Sequence, residues 1–183
     1  MGSQFYVSGL FDGLSNRKGI YMSYEGVTRE KFFTVFPKIE IQKVSHSCWA
    51  ASFSVLMRLN GVQVSEQAVI GFYPEWVYDG ITFDQLYGLA EYYNKFHFSK
   101  ESGLVHGVRE IKAYKKLEPI LQYAGQYSGF LVFVKQHYVV VLGYDAAAST
   151  IDYYDPWFGV IETCDLQYFL KWGTQHTLVV AGD

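Results

Sequence analysis

The pattern of apolar and polar positions predicts helices in the first two thirds of the chain. Apolar residues are almost continuous over residues 48–59 and stop at Asn60-Gly61, which is typical of a buried helix ended by a glycine. Thr82 with Gln85 three residues later is a capping-box pattern. It predicts a second helix that extends to about residue 96.

Three weaker patterns complete this part of the chain. A helix capped by Ser65 is predicted to reach about residue 72. The run 108–123 is predicted as another helix, bent at Pro119. The aromatic and β-branched run 32–36, closed by Pro37, is predicted as a short strand.

The pattern changes after Gly129. β-branched and aromatic runs separated by turn residues predict strands at 130–134, 138–142, 150–154 and 177–180. A short helix over 165–172 is predicted between the last two strands. Helices followed by an antiparallel sheet indicate an α+β fold, with a functional site where the two halves meet.

Composition supports one folded domain over residues 1–183, of which 1–35 carry no firm pattern. Hydrophobic residues make up 50% of the 183 residues and charged residues 18%, which argues against disorder. The net charge is −3 and the lysines and arginines are scattered. A concentrated basic stripe is therefore missing, and we expect no nucleic-acid partner. Aromatic residues reach 19%; we interpret most as core rather than as a groove for extended polypeptide.

Targeting signals are weak. The charge-free stretch 119–134 is too short and polar to predict a membrane span. No basic start followed by an apolar run is visible in the first thirty residues, so no signal peptide is predicted, and the localisation stays undetermined. Two distant cysteines are not a disulfide framework, which is compatible with a reducing compartment.

Cys48 is the candidate nucleophile. The thiolate is the reactive form of cysteine, and a helix amino terminus or a neighbouring imidazolium favours it. Cys48 stands at the start of the predicted buried helix, after the polar loop Ser45-His46-Ser47, which indicates an opening to solvent. The alternative for Cys48 alone is a buried structural cysteine.

His137 and Asp155 are the candidate base and its orienting carboxylate. His137 opens a predicted strand beside Gln136, and Asp155 follows eighteen residues later in an Asp-Pro step. A hairpin that turns near 146–149 would return both residues to the same end of the sheet, where the carboxylate can accept from one imidazole nitrogen while the other faces the thiol. The alternatives are a core histidine and a turn-forming aspartate.

Gln42 is the candidate oxyanion donor. It precedes Cys48 by six residues, a loop long enough to fold the side-chain amide back beside the Cys48 N–H. Two donors would then face a developing oxyanion, and one such donor is typically worth about 3 kcal/mol of barrier. Without Cys48, Gln42 would be interpreted as a solvated surface residue.

These motifs resemble the papain-like cysteine peptidase superfamily. The resemblance is carried by Gln42-x5-Cys48-Trp49-Ala50, by the strand His137-Tyr-Val-Val-Val-Leu-Gly-Tyr-Asp145 and by Asp155-Pro-Trp157. It is greatest to compact bacterial members with a Cys-His-Asp triad, such as secreted or injected effector peptidases. Leader-cleaving peptidases of bacteriocin exporters are more distant, because they usually have glycine where this chain has Trp49.

The resemblance implies a function and a role for each motif residue. Cys48 would be the nucleophile, His137 the general base and acid, Asp155 the orienting carboxylate and Gln42 an oxyanion donor. The chain would then be a cysteine endopeptidase that acts through a thioester, needs no cofactor and takes a polypeptide substrate. An activating protein, or an immunity protein that inhibits it, would be a further partner of an effector or toxin domain.

Two other functions stay open at this point. The same residues can carry out deamidation, amide transfer or transglutamination of protein side chains. A binding module on an inactive peptidase fold is the third candidate.

The remaining histidines and cysteine give weaker hypotheses. His46 is either a second proton carrier or a residue of a solvated loop. His97, His106 and His176 lack metal-ligand spacing with a cysteine, so no zinc site is predicted. Cys164 is interpreted as a buried residue without a chemical role.

Overall fold

The fold combines helices with an antiparallel sheet. The computed structural model describes residues 24–77, 79–96, 98, 109–173 and 176–182. The helices are α1 Arg29–Val35, α2 Cys48–Leu59, α3 Glu66–Ile70, α4 Phe83–Phe96, α5 Glu118–Leu121 and α6 Leu166–Leu170. The strands are β1 Tyr24–Gly26, β2 Arg109–Tyr114, β3 Phe130–Val134, β4 His137–Asp145, β5 Thr150–Asp155, β6 Val160–Asp165 and β7 Thr177–Gly182.

The described strands form one antiparallel sheet in the order β2-β7-β3-β4-β5-β6, and β1 adds to β4. Helix α2 packs on β4, and its buried side chains share a core with sheet residues such as Leu131, Tyr138 and Leu178. This arrangement of helices on a sheet is the predicted α+β class. No helix among the described residues is long and apolar enough to cross a bilayer.

The helices with clear local signals lie where they were predicted. Helix α2 covers residues 48–59 and is buried along almost its whole length. Before α4, the Thr82 N–H donates to Gln85 Oε1 at 2.7 Å, and the Gln85 N–H donates to Thr82 Oγ1 at 3.3 Å. Ser65 Oγ accepts from the Ala68 N–H at 3.1 Å, although α3 ends at Ile70, two residues earlier than expected.

The predicted strand over residues 32–36 is wrong, because this segment belongs to helix α1. Thr28 caps the helix by accepting from the Lys31 N–H at 3.2 Å. Phe32 and Phe36 are four residues apart, so a helix places both on one face, where their rings stack at 4.7 Å in the core. The aromatic run therefore reflects a helical period and not β-propensity.

The predicted helix over residues 108–123 is also wrong in its first half. Residues Arg109–Tyr114 form β2 and pair with β7 from Arg109↔Gly182 to Tyr114↔Thr177. The side chain of Asn94 in α4 pairs with the backbone of this strand: it donates to the Ile111 carbonyl and accepts from the Ile111 N–H. These long-range bonds override the helix propensity of Glu, Lys and Ala. Only α5, with Pro119 in its first turn, is helical.

The β-rich part holds all four predicted strands. The predicted helix over 165–172 is α6, which Asp165 caps by accepting from the Tyr168 N–H at 2.8 Å. Strand β4 begins one residue earlier than predicted, at His137. The β4–β5 turn is at the predicted place, where Asp145 Oδ1 accepts from the N–H groups of Ala147 and Ala148.

Candidate active site

Cys48 is the first residue of α2, where it combines a fixed backbone with access to a cavity. The first N–H groups of a helix have no partner within the helix, so the Cys48 N–H is free to face a ligand. The cysteine is only 8% exposed. It nevertheless lines a cavity of about 320 Å³, which also has His46, Gln136 and Tyr138 in its wall.

The β4–β5 hairpin brings His137 and Asp155 together. His137 is the first residue of β4 and Asp155 the last of β5, with the register set by Val140↔Tyr154. His137 Nε2 lies 2.8 Å from Asp155 Oδ1. Because this contact occupies Nε2, Nδ1 is the nitrogen left for the sulfur, and Cys48 is near enough to His137 to raise the pKa of the ring. The three predicted side chains are therefore in mutual reach.

The electrostatics of the site favour a charged imidazole. Burial is the largest influence on His137 and by itself disfavours the charge. The hydrogen bond to Asp155 and the neighbouring Cys48 outweigh it and raise the pKa of His137 to about 9. At neutral pH the ring is therefore protonated.

The turn after β5 fixes the carboxylate. Asp155 Oδ1 accepts from the Trp157 N–H at 2.8 Å, and the Gly159 N–H donates to the Asp155 carbonyl at 2.9 Å. Gly159 has a φ of +63°, which glycine adopts without steric cost. A Cβ at Gly159 would lie 2.5 Å from Ile41 Cγ1, so the turn packs closely against the segment before Gln42.

The turn before β4 was not predicted as part of the site. Lys135 and Gln136 both have positive φ, +46° and +64°, which is the conformation of a two-residue type I′ hairpin turn. Such turns usually carry Asn-Gly, and that signal is missing here. Lys135 Nζ lies 4.5 Å from the Trp172 ring centroid, a cation–π contact that holds this turn from outside.

Gln42 is tied to both sides of the site. Its backbone N–H donates to the Pro156 carbonyl at 2.8 Å, and its side-chain Nε2 donates to the Val44 carbonyl at 2.9 Å. The acceptor at Val44 defines which end of the amide is the NH₂ group. That group has two hydrogens, so one N–H remains for another acceptor. Gln42 Oε1 is buried without a protein partner.

Trp157 lies at the rim of the site. It is 48% exposed and, with Gln42 and residues 43–45, lines a second, open pocket of about 200 Å³. Trp157 therefore forms one wall of this pocket.

The weaker sequence candidates lie in different places. His46 is in the cavity wall, with Ser45 Oγ 3.3 Å from its Nδ1. His176 stacks on Phe83 at 4.2 Å. Cys164 is a partly buried residue of β6, where burial raises the pKa of its thiol to about 11. Residues 97 and 106, both histidines, lie outside the described residues. Within the described part of the chain, no three His, Cys, Asp or Glu side chains are grouped as metal ligands.

Comparison with known proteins defines the class of this chain, which is that of the papain-like cysteine proteases. The chain belongs to the family described as papain-like cysteine protease AvrRpt2, whose model matches residues 30–172. The predicted superfamily and the predicted cysteine peptidase activity are thereby confirmed. No curated protein sequence matches the chain.

Two solved structures share the fold. One is a double glycine motif protease from an AMS/PCAT transporter in complex with the leader peptide. It has a TM-score of 0.58 and 17% sequence identity, over 80% of this chain and 91% of that chain. The other is the peptidase domain of Streptococcus ComA, a bi-functional ABC transporter involved in quorum sensing. It has a TM-score of 0.58 and 18% identity, over 80% of this chain and 98% of that chain.

Proposed function

We propose that Cys48, His137, Asp155 and Gln42 carry out the peptidase reaction of this chain. The observation that supports the assignment best is the Asp155–His137 pair, hydrogen-bonded at 2.8 Å, next to Cys48 at the amino terminus of α2. It links a carboxylate, an imidazole and a thiol in the order that nucleophilic catalysis needs.

The proposed reaction has two halves. With the proton of the Cys48 thiol already held on the His137 imidazolium, the sulfur attacks the peptide carbonyl to form a tetrahedral oxyanion. The Gln42 amide and the Cys48 N–H donate to that oxyanion. The imidazolium then protonates the leaving amine as the C–N bond breaks. A water, deprotonated by His137, attacks the thioester; the C–S bond then breaks, the carboxylic acid product leaves, and the proton returns to the Cys48–His137 pair.

The substrate is proposed to be a polypeptide in an extended conformation. Two openings support this: the cavity of about 320 Å³ that Cys48 lines, and the open pocket of about 200 Å³ that Gln42 and Trp157 line. The similar transporter protease was solved in complex with the leader peptide, which is consistent with a polypeptide substrate for this chain.

We also propose that the chain is a bacterial effector or toxin domain, controlled by an activating or an immunity protein. Support comes from the resemblance of its Cys-His-Asp motifs to compact effector peptidases. Pull-down with the Cys48→Ala protein, which would retain bound partners without cleaving them, tests this part. Capture of substrates alone would contradict the proposed control by a partner.

The assignment is tested by incubating a proteome with wild-type and Cys48→Ala protein. We expect the variant to be inactive and as stable as the wild type, and Cys164→Ala to retain activity as the matched control. Mass spectrometry should show new backbone termini with the active proteins. Cleavage by Cys48→Ala, or side-chain mass shifts in place of cuts, would contradict the proposal.

A further inference from the structure

Glu66 is a buried carboxylate outside the four residues of the proposed reaction. It is the first residue of α3 and is only 7% exposed. Buried carboxylates are rare unless their oxygens are hydrogen-bonded. The contacts of Glu66 are with the segment of residues 42–47, which we call the oxyanion loop because it joins Gln42 to Cys48.

Glu66 binds the oxyanion loop at both ends. The Lys43 N–H donates to Oε1 at 3.0 Å and to Oε2 at 3.1 Å. The Ser47 hydroxyl lies 2.6 Å from Oε1, and Ser47 is fully buried. Lys43 follows Gln42 and Ser47 precedes Cys48, so one carboxylate holds the neighbours of both proposed oxyanion donors.

The same contacts continue inside the loop. Ser47 Oγ is 2.7 Å from the Val44 carbonyl, the acceptor of Gln42 Nε2. A hydroxyl has one proton, so Ser47 donates to either Glu66 or Val44 at a given moment. Glu66 is therefore connected through Ser47 and Val44 to the amide that donates to the oxyanion.

The loop needs this external support because its backbone is strained. His46 has a φ of +66°, in the left-handed region that non-glycine residues seldom adopt. The strained residue lies between Val44 and Cys48. Without bonds from outside the loop, the backbone is free to relax and to move both donors.

We propose that Glu66 is a positioning residue, which holds the oxyanion loop so that the Gln42 amide and the Cys48 N–H converge on the carbonyl oxygen of the substrate. The inference rests on the proposed roles of Gln42 and Cys48. It assigns to Glu66 an effect on the oxyanion and none on the reactivity of the thiol, and this difference can be measured.

The test compares two reactions of Cys48. Peptide hydrolysis forms an oxyanion, whereas alkylation by iodoacetamide displaces iodide at a saturated carbon and forms none. In Glu66→Ala and in Ser47→Ala we expect kcat to fall roughly 10- to 100-fold with little change in KM. The affinity for a peptide aldehyde, whose thiol adduct places an oxygen in the same position, should fall by a similar factor. Alkylation of Cys48 should keep the wild-type rate.

Two further variants separate positioning from general damage. Gln67→Ala, at the exposed neighbour of Glu66, is the matched control and should retain wild-type kinetics. Glu66→Gln should recover most of the activity that Glu66→Ala loses, because its amide oxygen accepts from Lys43 and its NH₂ group donates to Ser47 Oγ, which then bonds Val44. In a Gln42→Ala background, Glu66→Ala should cost less activity than it does in the wild type, since one of the two donors that it positions is already missing.

Equal losses of hydrolysis and alkylation in Glu66→Ala would overturn the inference, as would full additivity with Gln42→Ala. These outcomes leave the proposed function intact, since the wild type still cleaves peptides through Cys48. Absence of cleavage by the wild type would instead overturn the proposed function, and the role of Glu66 with it.

Discussion

The charge on His137 is the central property of the site at the scale of single residues. One ring nitrogen binds Asp155 at 2.8 Å, and Cys48 is the other neighbour that raises the pKa of the ring. Both partners favour the imidazolium against the cost of burial. The protonation of His137 therefore controls both the chemistry and part of the stability.

The raised pKa of His137 predicts a pH dependence. We expect kcat/KM to fall as the pH rises through about 9, because the imidazolium that protonates the leaving group is lost. The pKa in the folded state is above the unfolded value of about 6.5. His137 therefore contributes stability fully below about pH 6.5, and this contribution is lost as the pH rises to about 9.

Kinetics and urea unfolding across this pH range check both effects. His137→Ala should lack the corresponding slope in the free energy of unfolding. In Asp155→Asn, loss of the carboxylate charge should move the alkaline fall of kcat/KM to lower pH. A fall at the same pH as in the wild type would contradict the role of Asp155.

Asp155 and His137 should also differ in the size of their effects. His137→Ala removes the proton carrier and should lower kcat by roughly 10²- to 10⁴-fold. Asp155→Asn keeps a side-chain oxygen beside Nε2 and should lower kcat less. Single-turnover kinetics compare the two variants, and circular dichroism checks that both are folded. A larger loss in Asp155→Asn would show that the carboxylate does more than orient and charge the ring.

At the scale of elements, two tight turns determine the positions of the side chains at the ends of β4 and β5. The turn Asp155–Gly159 orients the Asp155 carboxylate and packs on Ile41. The turn formed by Lys135 and Gln136, both with left-handed backbone, makes His137 the first residue of β4. Each turn lies within two residues of a proposed catalytic group.

Gly159→Ala tests the turn after β5. A left-handed backbone costs a non-glycine residue about 1–2 kcal/mol, and here the added Cβ also meets Ile41. Gly173 has a similar φ of +77° with open space at its Cβ position, so Gly173→Ala isolates the backbone cost. We expect Gly159→Ala to lose more stability in urea unfolding and, in addition, activity. Equal losses in both variants would show that the close approach to Ile41 is unimportant.

Local signals predicted some elements and failed for others. The capping residues Ser65, Thr82 and Gln85 make the bonds that their spacing indicates, because a cap depends only on neighbours within one turn. Strand β2 depends on β7, about seventy residues later in the chain, and its own sequence carries helix-forming residues. Its conformation is decided by pairing, which a local pattern does not contain.

At the scale of the whole molecule, the site depends on how α2 is seated on the sheet. Buried Ser52 of α2 donates to the Tyr138 carbonyl at 3.0 Å, one residue after His137. Buried Ser54 donates to the Val64 carbonyl at 2.7 Å, within the helical half. The Ser52 bond therefore joins α2, which carries Cys48, to β4, which carries His137. The Ser54 bond does not join these two elements.

Ser52→Ala and Ser54→Ala form a matched pair. Each removes one buried hydrogen bond and should cost about 1 kcal/mol of unfolding free energy. Only Ser52→Ala should also lower kcat, because it loosens Cys48 relative to His137. Thermal unfolding and peptide hydrolysis measure the two effects. A loss of kcat in Ser54→Ala of the same size would show that activity follows stability alone.

The sequence by itself determined the α+β class and the extent of α2 and supplied the residues proposed for the chemistry, because these depend on local periodicity and on motifs with defined spacing. It also indicated that a hairpin would carry His137 and Asp155 to one end of the sheet. Only the tertiary structure decided that residues 109–114 form a strand, that Gln42 is anchored to Val44 and Pro156, and that Glu66 holds the oxyanion loop. These are contacts between segments distant in sequence or bent by a strained backbone, and their energies depend on packing that no local pattern encodes.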